Sequence, residues 1–186
     1  MRLKMFITNV TKKIEMWATR NMLLFKFISK TYNSIIAKEA VLARLNSDHN
    51  ILFIGGGACP FSAIALQKLS NAKVTVVDND RNCVIEARKL AARLGLDQSK
   101  FEVIEASGEE FDASGYKIIH LALQLSSKDK VLKRIKETMD RDAKILYRLP
   151  KKGTKCLYDN CSMLTYSKQI LHRSFLTNIR STVLLD

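Results

Sequence analysis

The order of apolar and polar positions divides the chain into a helical N-terminal segment and a longer region of alternating elements. Over residues 3–45, apolar side chains recur three or four positions apart, with charged residues between them and no proline. This is the pattern of amphipathic helices. Asn33 or Ser34 is suited to capping a second helix inside this segment. A polar stretch over residues 46–50 then predicts a linker.

Short apolar runs beyond the linker predict buried strands, and the stretches between them predict helices. The predicted strands are residues 51–54, 74–77, 101–104, 118–123 and 143–149, and the predicted helices are residues 60–69, 81–94 and 128–139. This alternation is typical of right-handed βαβ units and a parallel sheet. Apolar stretches at 170–171 and 182–185 predict a closing antiparallel hairpin. We therefore expect an α/β protein with a doubly wound, Rossmann-like, mostly parallel seven-stranded sheet and a short N-terminal helical extension.

The length of 186 residues suits one sizeable core. We place the N-terminal helices at residues 1–48 and the cofactor-binding, Rossmann-like domain at residues 49–186. Lys12, Lys13 and Glu15 interrupt the first apolar run, which predicts neither a signal peptide nor a membrane span. We expect a soluble, cytoplasmic protein.

The net charge of +13 is distributed unevenly along the chain. Residues 1–48 carry nine Lys or Arg against three Asp or Glu, and residues 128–155 carry eleven against four, whereas residues 49–127 carry eight against nine. Basic flanks around a neutral core suit an acidic partner such as nucleic acid. We favour solvated helix faces instead, because no aromatic residues interleave with the charges. The basic helix and the N-terminal helices also leave a homodimer open.

The four cysteines, Cys59, Cys83, Cys156 and Cys161, form no CxxC pair. A metal held by the last two would need further ligands that the sequence does not offer. We expect four reduced, mostly buried thiols and no metal site.

Three glycines, Gly55, Gly56 and Gly57, follow the first predicted strand and open the next helix. Glycines there permit a tight turn, and the backbone N–H groups of a helix N-terminus attract polar or anionic groups. Asp78 ends the second strand, 21 residues beyond Gly57, where a carboxylate can accept hydrogen bonds from both hydroxyls of a ribose. Asp80 is the better helix cap, which favours a ligand role for Asp78.

Four further residues complete the predicted cofactor site. Asn79 follows Asp78, Leu123 ends the fourth predicted strand, and Ser107 and Gly108 follow the third. Ser107 and the backbone of Gly108 can contact an adenine, although a simple turn explains them equally well. Pro60 stands where the pattern G-x-G-x-x-G has its last glycine. That favours an adenosine cofactor without a pyrophosphate, S-adenosylmethionine, over a dinucleotide.

Residues 53–62, FIGGGACPFS, resemble the cofactor loop of nicotianamine synthases and their archaeal and bacterial relatives, which read roughly F-I-G-(G/S)-G-P-L-P-L-T. The resemblance extends over about residues 32–186, including the predicted fourth and fifth strands and the closing strand. Two features depart from the family: Ala58 and Cys59 replace its Pro and Leu, and the N-terminal helical region is shorter.

The resemblance implies a transferase that moves the 3-amino-3-carboxypropyl group of S-adenosylmethionine to an amine of a small molecule or amino acid. Positioning of the amine would then supply most of the rate, because the sulfonium is already activated. It also implies Tyr32 as a substrate-orienting hydroxyl and Glu39 as an amine binder or base. The alternative for Glu39 is a solvated helix face. Arg148, at the end of the fifth strand, is placed to hold a substrate carboxylate or else forms a surface ion pair.

Two other functions remain open. The first is a methyltransferase on the same fold, although residues 123–126, LQLS, lack the Asn/Asp-Pro-Pro-Tyr/Phe signature of amino-methyltransferases. The second is a non-catalytic basic module that binds RNA or a protein partner, since Phe53 and Ser107 stand where acidic cofactor ligands are common. His120 lies inside an apolar strand, which favours a core histidine over a catalytic one.

Overall fold

A single seven-stranded sheet organises the protein, in the order β3-β2-β1-β4-β5-β7-β6. The computed structural model describes residue 10 and residues 13–158, 164–174 and 177–186, with the side chains of residues 155–157 excepted. The strands are β1 (Asn50–Ile54), β2 (Lys73–Asp78), β3 (Phe101–Glu105), β4 (Ile118–Leu121), β5 (Lys144–Pro150), β6 (Lys168–Leu171) and β7 (Ile179–Leu185). The first five strands are parallel, and β7 runs antiparallel to both β5 and β6. The predicted seven-stranded, mostly parallel fold is confirmed.

Helices cover both faces of this sheet. They are α1 (Met22–Ala43), α2 (Phe61–Ser70), α3 (Arg81–Arg93) and α4 (Lys128–Thr138), with a helical segment at residues 13–20 and a 3-10 helix at Lys152–Leu157. Alternate side chains of β1 enter two different cores, Phe53 on one face and Leu52 and Ile54 on the other. Burial on both faces explains why β1 is apolar from Ile51 to Ile54 rather than alternating. No described helix is long and apolar enough to cross a bilayer.

The N-terminal region breaks at a different residue from the one predicted. Helix α1 runs without interruption through Asn33 and Ser34, which are both exposed, so the prediction of a second helix starting there is wrong. The helix instead begins after Asn21, whose side chain accepts hydrogen bonds from the N–H groups of Leu23 and Leu24 at 3.0 and 3.1 Å. One continuous buried face, which carries Phe25 and the residues around Ile36, explains the single helix.

Helix α1 packs into the same core as the sheet. Phe25, Ile36 and Ala43 of α1 join a cluster that includes Phe53 of β1 and Phe61 of α2, and the rings of Phe25 and Phe61 stack with centroids 5.4 Å apart. The domain boundary between residues 48 and 49 stays a prediction about chain organisation. In the structure, α1 packs against one face of the sheet and contributes side chains to the core there.

The predicted fourth strand was two residues too long. Strand β4 ends at Leu121, and Ala122 only donates its N–H to the carbonyl of Ile54 at 3.0 Å before the chain turns. Leu123 therefore lies beyond the strand, on the loop at the carboxyl edge of the sheet.

Candidate functional site

A cavity of about 510 Å³ opens at the carboxyl ends of the parallel strands. It lies where the strand order changes direction between β1 and β4, the position at which ligands bind in open α/β sheets. Most of the predicted site residues line it: Tyr32, Gly55, Gly56, Gly57, Asp78, Asn79, Ser107, Gly108, Leu123 and Arg148. The structure thus brings together side chains that are more than 100 positions apart in the sequence.

The glycine loop adopts a backbone that requires glycine. Gly55 and Gly57 have φ values of +85° and +64°, in the region that side chains with a Cβ rarely adopt. A Cβ at Gly57 would also lie 2.5 Å from a carboxylate oxygen of Glu15. The loop is therefore shaped for a close approach to its main chain.

Asp78 fixes this loop to the neighbouring strand. Its Oδ2 accepts the N–H of Gly57 at 2.7 Å, and its Oδ1 accepts the N–H of Asp80 at 2.9 Å. Asp80 caps α3 by accepting the N–H groups of Asn82 and Cys83, as predicted. A carboxylate offers about four acceptor positions, so Asp78 can hold the loop and still accept two ligand hydroxyls.

Ser107 and Gly108 form a turn and also line the cavity. The hydroxyl of Ser107 accepts the N–H of Glu109 at 3.2 Å, and its carbonyl accepts that of Glu110. A Cβ on Gly108 would lie 2.7 Å from Ile54. The turn is therefore present, and contact of Ser107 and Gly108 with an adenine stays a prediction.

Glu39 is neither exposed nor on the cavity surface, which corrects both expectations for it. Its side chain is fully buried. Nε and Nη2 of Arg148 donate to its two oxygens at 2.8 Å each, and Thr182 donates at 2.5 Å. Burial alone would raise the pKa of Glu39, but Arg148 and a hydrogen bond to His120 hold the pKa well below its usual range. An anion paired in this way cannot serve as an amine base, so Glu39 instead positions Arg148.

Arg148 reaches the cavity with its charge already compensated. Its side chain is buried, and Nη1 donates to the hydroxyl of Ser62 at 2.9 Å. Together with the two bonds to Glu39, this uses three of the five guanidinium N–H donors. The predicted surface ion pair is therefore a buried one. Arg148 can still donate hydrogen bonds into the cavity but contributes little net charge there.

His120 lies in the core, stacked on Phe53 with ring centroids 3.9 Å apart. Its Nε2 is 3.2 Å from Glu39, and its Nδ1 has no partner among the described residues. Burial, assisted by the charge of Arg148, lowers the pKa of His120 to about 4. The ring is neutral at pH 7 and belongs to the support behind the cavity.

Tyr32 lines the cavity from α1. Its ring stacks on Phe61 with centroids 5.5 Å apart, and the guanidinium carbon of Arg148 lies 6.0 Å from the ring centre. Burial raises the pKa of the Tyr32 hydroxyl, so this group is a neutral hydrogen-bond donor at pH 7.

The sequence analysis did not predict that two charged residues, Glu15 and Lys128, belong to the site region. Glu15, from the helical segment 13–20, lines the cavity beside Gly57. The available signal was that Glu15 is the only acid in the first 38 residues of a basic segment.

Lys128, expected on a solvated helix face, is fully buried. Its Nζ donates to the carbonyl of Arg148 at 3.0 Å and lies 4.0 Å from the ring centre of Tyr147. No local pattern distinguishes it from the other lysines of α4.

Two cysteine side chains that the structure describes, Cys59 and Cys83, line the cavity. Cys59 and Cys83 are buried, as predicted, and burial raises the pKa of the Cys59 thiol. The side chain of Cys156 and the whole of Cys161 lie outside the described residues. No three His, Cys, Asp or Glu side chains converge as metal ligands among the residues described.

Comparisons with known proteins agree with this geometry. A curated relative, L-histidine 2-aminobutanoyltransferase of Pseudomonas aeruginosa (strain UCBPP-PA14), is 33% identical over 116 residues, which cover 61% of this chain and 43% of the relative. The chain thus spans less than half the length of that relative.

Two crystal structures of a Glu-to-Gln variant of MtNAS share the fold. The first has a TM-score of 0.85 and 22% identity and covers 97% of this chain and 72% of that one. The second, in complex with S-adenosylmethionine, has a TM-score of 0.82 and 23% identity and covers 97% and 74%. The family model described as nicotianamine synthase protein matches residues 25–173. Because this match spans most of the sequence, the chain belongs to the nicotianamine synthase family.

Proposed function

We propose that this protein is an S-adenosylmethionine-dependent transferase that moves the 3-amino-3-carboxypropyl group to an amine of a small molecule. The observation that carries the proposal is the glycine loop tied to Asp78 at the switch point of the sheet. Family membership and the relative named as an aminobutanoyltransferase support the group transferred. S-adenosylmethionine in the MtNAS crystal supports the donor.

The residues present fit this donor. A cavity of about 510 Å³ lies within the usual range for small-molecule sites, and the glycines leave room where side chains would intrude. We assign the ribose hydroxyls to Asp78, assisted by Asn79, and the adenine to Ser107, Gly108 and Leu123. The glycine loop would lie along the rest of the donor, whose sulfonium supplies an activated leaving group.

The acceptor side of the cavity offers groups that bind and orient an amine. The hydroxyl of Tyr32 and the carboxylate of Glu15 both line it. In the transfer, the amine nitrogen bonds to the carbon through which the aminocarboxypropyl group is attached to sulfur. That carbon–sulfur bond breaks, and methylthioadenosine leaves. We assign Tyr32 to orientation of the amine and Glu15 to holding its positive charge and accepting the released proton. Most of the acceleration would come from placement, since the leaving group needs no further activation.

Calorimetric binding of S-adenosylmethionine, methylthioadenosine and S-adenosylhomocysteine tests this proposal. Asp78→Ala should weaken all three by about tenfold or more, because hydrogen bonds to a charged group contribute about 1.5–3 kcal/mol. Glu105→Ala is the matched control: Glu105 ends β3 directly beside Asp78 in the sheet and does not line the cavity.

The order of affinities separates the two transfer reactions. Tighter binding of methylthioadenosine than of S-adenosylhomocysteine supports aminocarboxypropyl transfer, because methylthioadenosine is its by-product. The reverse order favours the methyltransferase. Absence of binding by all three ligands would contradict both enzymatic functions.

A further inference from the structure

The outer surface beside the cavity exposes a cluster of large apolar side chains. Ten large apolar side chains are exposed among the described residues, and four of them lie within residues 13–27: Ile14, Trp17, Leu23 and Phe27. Trp17 follows Ile14 by about one turn of the helical segment 13–20, and Phe27 follows Leu23 by about one turn of α1. Because Ile14 and Phe27 both line the cavity, the two helices present these side chains beside one opening. Such a cluster marks an interaction surface.

Basic side chains alternate with the apolar ones on both helices. One face of α1 carries exposed side chains at positions i, i+3, i+4 and i+7, two apolar and two basic: Leu23, Lys26, Phe27 and Lys30. The helical segment 13–20 exposes a similar mixture of Lys13, Ile14 and Trp17. These seven residues are called the N-terminal face below. The expectation that no aromatic residue interleaves with the basic ones is therefore wrong for this part of the chain.

The charges of the N-terminal face have one sign. Glu15 is the only acid in the first 38 residues of the chain, and it is partly buried and lines the cavity. Lys13, Lys26 and Lys30 are exposed. A partner that covers this face must therefore be anionic and must also accept apolar side chains.

We propose that the N-terminal face docks reversibly on an anionic lipid surface. A bilayer of this kind carries negative headgroups above hydrocarbon, so lysines extend toward the headgroups while their apolar neighbours enter the boundary between the two layers. Helices that lie at such a boundary combine Lys with Trp, Phe and Leu. Nucleic acid fits the face less well, because Ile14 and Leu23 have no ring on which a base can stack. Docking places the mouth of the cavity beside the headgroups, whichever group the protein transfers.

Trp17 is the only tryptophan of the chain, so its fluorescence reports on the N-terminal face directly. We would titrate the full chain with phosphatidylcholine vesicles that contain about one third phosphatidylserine. We expect a saturable blue shift of the Trp17 emission and quenching by lipids brominated on their acyl chains. Vesicles of phosphatidylcholine alone should bind at least about tenfold more weakly, because they carry no net negative charge. Absence of the blue shift, or equal affinity for both kinds of vesicle, would overturn the inference.

The variant Leu23→Gln tests the apolar contribution. It should weaken binding to the phosphatidylserine vesicles by about tenfold, because one apolar side chain no longer leaves water. Val41→Gln is the matched control. Val41 belongs to the same helix and is 76% exposed, against 80% for Leu23, but it lies about 27 Å further along the helix axis. The control should keep the wild-type affinity, and equal weakening in both variants would contradict docking through this face.

A pair of charge variants tests the basic contribution. Lys26→Gln/Lys30→Gln should weaken binding by about 25-fold, since each basic group beside an anionic surface contributes about fivefold. Lys133→Gln/Lys136→Gln removes the same charge from exposed residues of α4, which packs on the opposite face of the sheet from α1. Screening by salt should limit its effect to less than about threefold. Equal losses would show that the net charge of +13 attracts the vesicles without this face, which overturns the inference.

Two other results would assign the N-terminal face to a different partner and overturn the inference. If single-stranded oligouridylate shifts the Trp17 emission and the vesicles do not, the face binds nucleic acid. If the emission shifts with protein concentration alone, and sedimentation shows a doubled mass, the face joins two copies of the chain.

Discussion

At the scale of single residues, Glu39 connects the cavity to the core. It binds Arg148 of β5, His120 of β4 and Thr182 of β7 from its position on α1. Thr182 in turn contacts the imidazole of His172 at 2.9 Å. A helix and three strands thus meet at one carboxylate, so each polar group fixes the position of its neighbours. Arg148 is presented to the cavity by this network rather than by β5 alone.

This network predicts a loss of stability in mild acid. The pKa of His120 falls from 6.5 to about 4 on folding, so the unfolded chain binds more protons between these pH values. Stability should therefore drop as the pH falls through this interval, by up to about 1.4 kcal/mol per pH unit. His172, with a pKa that burial also lowers, acts in the same direction, and Glu39 adds to the loss at still lower pH.

Urea denaturation of wild type and His120→Gln at several pH values measures this effect. Glutamine keeps a nitrogen donor near Glu39 but does not titrate. The slope of unfolding free energy against pH between 6.5 and 4 should be shallower in the variant. Parallel slopes would show that His120 is not the titrating group.

The variant Tyr32→Phe tests whether Tyr32 orients the acceptor through its hydroxyl or only packs through its ring. Phenylalanine retains the stacking on Phe61 and removes only the hydroxyl. We expect unchanged affinity for methylthioadenosine and a fall in kcat of about tenfold, the size expected for one lost polar interaction. Tyr116→Phe, before β4 at the opposite edge of the sheet, is the control. An unaltered kcat for Tyr32→Phe would remove Tyr32 from the mechanism.

At the scale of elements, the start of α1 is set by Asn21. Asn21→Ala removes the acceptor for the N–H groups of Leu23 and Leu24 and should lower the unfolding free energy by about 1 kcal/mol. Ser34→Ala, at the rejected cap position, should change it by less than about 0.5 kcal/mol, because Ser34 is exposed within a helix. Urea denaturation measures the unfolding free energy of both variants. Equal losses of unfolding free energy in the two variants would contradict a single helix from Met22 to Ala43.

The positions of the strands and helices could be predicted where a run of consecutive residues is buried. Strand β1 is apolar from Ile51 to Ile54 and was located to within one residue, and the glycines and Asp78 were correctly expected to lie together. The ends of α1 and β4 were not predictable, because several residues have similar capping or strand propensity and packing selects among them. Lys128 was expected in solvent, as charged side chains usually are, and Glu39 was expected either at an amine or in solvent. Their burial depends on partners more than 15 positions away.

At the scale of the whole molecule, the excess charge and the cavity are separate features. The basic flanks include α4, where Lys130 pairs with Glu109 and Lys133 with Glu137 at the surface, and such pairs contribute little to stability. The described residues that line the cavity include three carboxylates, Glu15, Asp78 and Glu109, which suit the proposed cationic donor and amine acceptor. Binding of nucleic acid, which the sequence disfavours, and formation of a homodimer stay open alternatives.

The central claim is the identity of the transferred group. The adenosine product that remains after the transfer identifies this group directly. We would incubate the protein with S-adenosylmethionine and histamine and identify the adenosine product by chromatography and mass spectrometry. Aminocarboxypropyl transfer predicts methylthioadenosine, formed in step with a histamine adduct and greatly reduced in Asp78→Ala. S-adenosylhomocysteine together with methylated histamine would contradict the account and assign the cavity to methyl transfer.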